Sequence, residues 1–238
     1  MAVRAGVAIA LVLAAATAGC VSPAETYNAR GVALFNNGDL ENARAEFMEA
    51  TAADPVNADA YYNLASTYHR AGNGDEAERN YLHCMALDPN HTKAHHAYTV
   101  MLLEGKRVNE AYEYVENWVN QSPGQPDPLV ELAWLERQAG RPEQARQLLH
   151  QVLGINPKHP RALTELASIY EGTNETGRAL ALYQRALAAN PNHSELSSKV
   201  ADLRGSIDDS HAEPAVATSP FSSPEPGRAS RDLRFQMR

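Results

Sequence analysis

Five side chains able to bind a metal fall in one stretch of the chain: His83, Cys84, His91, His95 and His96. Imidazoles four residues apart on a helix share a face, so His91 and His95 have the spacing of a two-histidine metal site. His91, however, precedes the expected start of its helix, and no acid or third ligand stands at a convincing spacing. Metal binding by His83, His91, His95 and His96 is therefore the remote alternative, and no metal is assigned. Cys84 takes a position that calls for a small buried residue, which reads as an inert core thiol. Paired acids such as Glu41 and Glu46, or Glu110 and Glu113, lie on expected helix surfaces and read as solvated. There is no phosphate-cradling Gly-rich loop, no nucleophile elbow and no Cys-x-x-Cys. No catalytic residue and no cofactor follow, and the chain reads as non-enzymatic, with no small-molecule substrate expected. Lys and Arg number 21 against 29 Asp and Glu, a net charge of −8. Without a dense cationic block to neutralise phosphates, nucleic acid is not an expected partner.

The remaining thiol, Cys20, has a different context. Arg4 is followed by a charge-free run to Cys20, whose apolar heart, Val7 to Ala16, is too short to cross a bilayer as a helix. A positive start, an apolar middle and small residues at the end describe a signal peptide over residues 1–19. Two cleavage readings stay open. Ala16-Thr17-Ala18 fits ordinary signal peptidase. The segment Leu13 to Cys20 also resembles a bacterial lipobox, matching at Ala18, Gly19 and Cys20 and departing at Thr17, where Leu is usual. That resemblance implies lipid attachment at Cys20, followed by a short linker over 20–23. Val21 stands where an Asp would favour inner-membrane retention, so an outer-membrane lipoprotein facing the periplasm is expected, with a soluble periplasmic protein as the alternative.

The elements that must position everything else follow from a period. Prolines at Pro55, Pro89, Pro123, Pro157 and Pro191 are 34 residues apart, as are Ala43, Ala77, Ala111, Ala145 and Ala179. Asp54, Asp88, Ser122, Asn156 and Asn190 precede the prolines, and such residues are pushed out of helical geometry, so each repeat ends in a helix stop. Tyr61, Leu64, Ala65 and Tyr68 fall at i, i+3, i+4 and i+7, a helical face. Ala77, Tyr81 and Cys84 continue on a second helix, with the turn signal Gly72-Asn73-Gly74 between them. Each repeat is thus expected to be helix–turn–helix, with small residues such as Ala65 and Ala77 where the pair approaches closely.

These signatures resemble the tetratricopeptide repeat family. The large–Leu–small–large pattern reads Tyr61, Leu64, Ala65 and Tyr68, and again Leu163, Leu166, Ala167 and Tyr170. The small–aromatic–small–Pro pattern reads Ala43, Phe47, Ala50 and Pro55, and again Ala179, Tyr183, Ala186 and Pro191. The resemblance implies an all-α solenoid of five repeats (24–57, 58–91, 92–125, 126–159 and 160–193) with a cap at 194–206, giving a repeat domain over 24–206. The third repeat departs most, with His95, Tyr98 and Thr99 in its signature and Trp118 where a small residue is usual. Core repacking around Trp118 is the plain expectation, and a local splay opening a pocket between repeats three and four is the sharper one. Residues 207–238 are rich in Ser and Pro and end in an Arg-rich segment, which reads as a disordered tail.

The family implies a concave face lined by the first helix of each repeat and used for a protein partner. By register that face holds Asn28, Phe35, Tyr62, His69, Arg70, Lys93, His96, Val100, Trp134, Arg137 and Arg161, with Val130 beside them. Aromatics and Arg are the types that carry interface energy. The carboxylate clamp of one subfamily would need Lys, Asn and Arg where this chain has Asn28, Val32, Asn63, Lys93 and Ala97. Only Asn63 and Lys93 fit, so that clamp is not expected. The resulting expectation is a membrane-tethered scaffold with a groove for a protein partner. A soluble periplasmic adaptor and a self-associating structural protein are its alternatives. Signal, lipobox and repeat number together resemble the small lipoproteins of type IV pilus assembly.

Overall fold

The computed structural model describes residues 22–211. The signal peptide, Cys20 and the tail from 212 onward lie outside them. Eleven helices are described: α1 (Pro23–Asn36), α2 (Leu40–Ala53), α3 (Ala58–Arg70), α4 (Gly74–Leu87), α5 (Thr92–Glu104), α6 (Val108–Gln121), α7 (Pro126–Gln138), α8 (Pro142–Ile155), α9 (Pro160–Gly172), α10 (Thr176–Ala189) and α11 (Ser194–His211). No strand occurs among the described residues. The chain divides into two compact units between Ala162 and Leu163.

Local chemistry sets the helix limits. Ser22 and Glu25 form a reciprocal capping box, which starts α1 at Pro23, inside the stretch expected to be linker. After every first helix the chain makes the same turn. In the second repeat Gly72 N–H donates to His69 O (3.0 Å) and Asn73 N–H to Tyr68 O (2.9 Å). The third repeat copies this with Lys106 to Leu103 (2.9 Å) and Arg107 to Leu102 (2.8 Å). Such a turn needs a left-handed residue. That residue is Gly38, Gly72 and Gly140 in three repeats, but Lys106 (φ 59°) in the third and Asn174 (φ 60°) in the fifth. Second helices end where the pre-proline residue turns extended, as at Asp54 (φ −140°, ψ 90°) and Asp88 (φ −130°, ψ 95°).

In the first unit α1 packs on α2, α3 on α4 and α7 on α8, while α2–α3, α4–α5 and α6–α7 join successive repeats. Close approach depends on missing side-chain atoms. A Cβ placed on Gly31 would lie 2.5 Å from a Phe47 ring carbon. Ala43, Ala77, Ala111 and Ala145 are all 0% exposed. Around them Phe47, Leu64, Tyr81, Leu102, Val115 and Leu135 fill the core, each burial contributing about 1.5–3 kcal/mol.

The third repeat is looser. Its α5 and α6 approach each other far less closely than the paired helices within the first, second and fourth repeats. Thr99 stands where the first two repeats have Gly31 and Ala65, and Trp118 stands where they have Ala50 and Cys84. The wedge between the two helices is filled by aromatics. His95 and Trp118 stack with ring centroids 3.6 Å apart and planes 2° from parallel. Tyr98 meets Tyr114 edge-on at 4.8 Å. Trp118 is 7% exposed, so the repacking reading holds for this residue.

In the second unit α10 packs on α11. Leu163, Leu166, Leu182, Tyr183, Leu196 and Val200 are its buried apolar residues. Glu171 accepts from Tyr183 OH (3.1 Å) and pairs with Lys199 Nζ (2.6 Å). The cap expected to stop at 206 is longer: α11 runs to His211. No proline intervenes before Pro214, so nothing in the backbone forces an earlier stop.

Lys106 carries a side chain through a conformation that costs an L-residue about 1–2 kcal/mol. Part of that is regained because glycine is freer in the unfolded chain. Lys106→Gly should therefore stabilise the protein by about 0.5–1 kcal/mol, read as a higher melting temperature, whereas Gly72→Ala at the equivalent position should lower it.

Candidate protein-binding face

The first helices of the first unit are tied side by side through polar pairs that span one repeat plus one residue. Asn63 Nδ2–H donates to Asn28 Oδ1 at 2.8 Å. Arg70 Nη1–H donates to Phe35 O at 3.2 Å, and its guanidinium lies 5.1 Å from the Phe35 ring centroid. His69 Nε2 meets Glu104 Oε2 at 2.9 Å. His96 Nδ1 meets Glu131 Oε1 at 3.0 Å. Many expected contact groups on this face are thus engaged with the chain itself.

The individual residues separate accordingly. Lys93 and Arg70 are exposed, whereas Asn28, Phe35, Tyr62, His69, His96, Val100, Trp134, Arg137 and Arg161 are half-buried. Tyr62 leans on His91 (5.0 Å) and Tyr81 (6.2 Å), which makes it partly a packing residue. Trp134 sets its ring edge-on to His96 at 4.6 Å. Val130 is a correction, being 0% exposed. It holds the register position of Tyr62 and His96, but its side chain is too short to reach the surface there.

Glu131 was not anticipated. It is fully buried. Arg161 Nη2 donates to its Oε2 at 2.6 Å, and His96 Nδ1 approaches both oxygens, at 3.0 and 3.2 Å. Burial pushes this carboxyl up, but the His96 hydrogen bond and the Arg161 charge outweigh it, so the group lies below the usual range and is anionic. Both donors grip one carboxylate, which also brings Arg161 Nη2 to 3.0 Å from His96 Nδ1.

The histidine cluster divides into separate roles. Ala94 N–H donates to His91 Nδ1 (3.1 Å), making His91 the N-cap of α5. With Nδ1 accepting, Nε2 carries the proton and donates to Asp59 Oδ1 (3.0 Å). The same device recurs two junctions further on: Ala162 N–H donates to His159 Nδ1 (3.2 Å), and His159 Nε2 to Asp127 Oδ1 (3.0 Å). The hydrogen bond from His159 holds Asp127 below the usual carboxylate range. His95 donates from Nε2 to Pro89 O (3.0 Å) and accepts at Nδ1 from Tyr114 OH (2.5 Å). Burial lowers its pKa, so it is neutral. His83 packs against the Tyr61 ring at 4.2 Å. No group of three or more metal-binding side chains converges among the described residues. Cys84 is buried, and desolvation pushes its thiol up to about 12. The Asp59–His91 and Asp127–His159 pairs did leave a sequence signal, because each histidine follows its acid by 32 residues.

Away from this face, an open cleft of about 770 Å³ lies between α6 and the ends of α7 and α8. Glu113, Glu116, Asn117 and Glu136 line it. Arg141 spans it, pairing with Glu136 and Tyr112.

This geometry has known counterparts. Tetratricopeptide repeat sequence profiles match residues 28–83 and, in two overlapping stretches, 102–153 and 136–203. Together these cover more than half of the 238 residues, and the chain belongs to the tetratricopeptide repeat family. Among solved structures it is similar to TTC0263, a thermophilic TPR protein of Thermus thermophilus. The TM-score is 0.57 at 22% identity, covering 76% of this chain and 98% of that one. It is also similar to yeast Tom70, with TM-score 0.57, 19% identity and coverage of 79% of this chain and 40% of that one. PilF of Pseudomonas aeruginosa aligns with TM-score 0.49 at 22% identity, over 78% of this chain and 86% of that one. No curated protein matches at a significant level. The fold class is all-α, a helix–turn–helix repeat solenoid. Proteins of this family are protein-interaction scaffolds.

The His91 bridge makes a measurable contribution. His91→Ala removes both the cap of α5 and a hydrogen bond to Asp59 on α3 and should cost about 1–3 kcal/mol in urea unfolding. His91→Asn should recover most of the cap contribution, leaving the loss of the Asp59 bond.

Proposed function

We propose that the chain is a membrane-tethered scaffold of the bacterial envelope that presents its first-helix face to a protein partner. The observation that carries this reading is a first-helix face with exposed Val32, Arg70 and Lys93 on a chain of the tetratricopeptide repeat family. Tethering rests on the sequence through Cys20. Several acyl chains on one N-terminus would hold the scaffold firmly, since a single chain binds membranes only marginally. Anchoring raises the partner's effective concentration at the membrane. The placement we favour is the outer membrane, facing the periplasm. Signal, lipobox and repeat number make pilus or secretion assembly the pathway we would examine first.

Capture from cross-linked membranes tests the scaffold. The native chain is compared with Val32→Glu/Arg70→Glu/Lys93→Glu, a variant confined to exposed positions and checked for unchanged helical circular dichroism. A protein enriched by the native form and lost with the variant is the expected result. Recovery of the same proteins by both forms rejects the face. Intact mass of the mature chain tests the tether. A triacylated N-terminal Cys20 is expected, and an unmodified chain beginning at Gly19 rejects lipidation.

A further inference from the structure

The tether reading leaves open how the repeats meet the bilayer, and the start of α1 narrows it. Ser22 is the N-cap of α1, and Asn57 is the N-cap of α3. They stand 35 residues apart in the chain, the offset at which Asn63 bonds Asn28 and Arg70 bonds Phe35 O. Two such bonds, two turns apart, set α1 and α3 side by side and parallel. Both N-caps therefore lie at one edge, about 8–10 Å apart for packed helices. The chain enters α3 through Pro55 and Val56, and Val56 is 73% exposed. The residue after the repeat proline is Val56 here but Asn90, Gly124, Lys158 and Asn192 in the other four turns. An apolar side chain thus stands out at the turn that adjoins the first helix.

Cys20 precedes Ser22 by two residues. Consecutive Cα atoms are about 3.8 Å apart, so the Cys20 Cα lies within about 8 Å of that of Ser22, whatever path the chain takes. With the helix spacing, it lies within about 20 Å of Val56. Acyl chains on Cys20 enter the bilayer, and so short a leash holds the beginning of α1 at the headgroups.

We propose that the edge formed by the start of α1 and the Pro55–Val56 turn is a bilayer-contact surface, with Val56 entering the boundary between headgroups and acyl chains. This rests on the reading of Cys20 as the lipid attachment. Two features of the edge agree with it. The Ser22–Glu25 capping box, with bonds of 2.8 and 3.1 Å, makes the chain helical from Pro23, so no loop separates Ser22 from the repeats. The acids beside Val56 are engaged within the chain: Asp54 accepts from Val56 N–H (3.3 Å) and Asp59 from His91 Nε2 (3.0 Å). Neither 22–27 nor 53–59 contains Lys or Arg, so the edge has no attraction for anionic headgroups. Contact depends on the covalent tether, which keeps the edge at the surface. Phe35 and Arg70, at the far ends of α1 and α3, then face away from the bilayer.

Site-directed fluorescence of the acylated full chain in phosphatidylethanolamine–phosphatidylglycerol vesicles tests the contact. Val56→Cys and Asn73→Cys are each labelled with an environment-sensitive dye. The length of α3, about 20 Å, separates the two positions. Acylation blocks Cys20, and the buried Cys84, its thiol pushed up to about 12, is slow to react. Both labelled positions are exposed, and Asn73 makes no side-chain cap bond, so neither change threatens folding. The Val56 dye should shift to the blue and be quenched by nitroxide-bearing lipid, whereas the Asn73 dye should do neither. A Gly-Ser insertion of about 20 residues between Val21 and Ser22, with a reach of about 25 Å, should abolish the quenching while leaving the protein on the vesicles. No quenching at Val56, equal quenching at both sites, quenching that survives the insertion, or a blue shift without quenching, which places protein there instead of lipid, would each overturn the proposal. Intact mass of the same sample separates the causes. With Cys20 acylated, a failed Val56 signal rejects the edge and leaves the tether. An unmodified chain rejects the tether, and the edge with it.

Discussion

The structure depends on how closely two helices can approach when atoms are left out between them. Gly31 lets the Phe47 ring sit where a Cβ would otherwise be. The alanines spaced 34 residues apart, from Ala43 to Ala179, have no exposed surface at all. Dispersion and burial grow steeply as such surfaces close, and a gap of an ångström forfeits a substantial part of the attraction. Each repeat therefore stands or falls on a pair of small residues, and the larger side chains around them are chosen to fill what remains. The third repeat shows the converse. Thr99 and Trp118 hold α5 and α6 apart, and the chain answers with a stack of His95 on Trp118 and a Tyr98–Tyr114 pair in place of close helix contact.

Most of this was legible because it is local and periodic. The pre-proline stops and the Gly72 turn declare themselves through backbone preference, which depends on the residue and its neighbours. The last turns of α11 were missed for the opposite reason. Weak helix formers beyond 206 read as a tail, although no breaker stops the helix there. The face was legible in outline only. Register could place Arg70 and His96 on it, but could not show that Phe35 O and Glu131 had already claimed them. Such pairs join residues one repeat and one step apart, so they require the three-dimensional offset between neighbouring helices. Val130 failed for a simpler reason: register gives direction and says nothing of reach.

The histidines illustrate how one residue type takes unlike roles. His91 and His159 act as caps of α5 and α9 that also bridge to an acid on the preceding first helix, a use for which the imidazole's two opposed nitrogens are suited. His95 is packed as an aromatic with both nitrogens satisfied. His96 faces a buried acid. Proximity in sequence suggested shared chemistry, and the helical turns dispersed it. Most buried donors and acceptors of the described network are satisfied, Glu46 Oε2 being buried without a partner.

Cys84 adds a practical property to this architecture. Its sulfur is enclosed between helices of the second repeat and its thiol is pushed up to about 12, so almost none of it is thiolate near neutrality. Reagents that attack thiolates must wait for the helices around it to part. The native protein thus carries a built-in reporter of its own local opening. The rate at which this sulfur is modified measures how often the second repeat breathes, without any label being introduced.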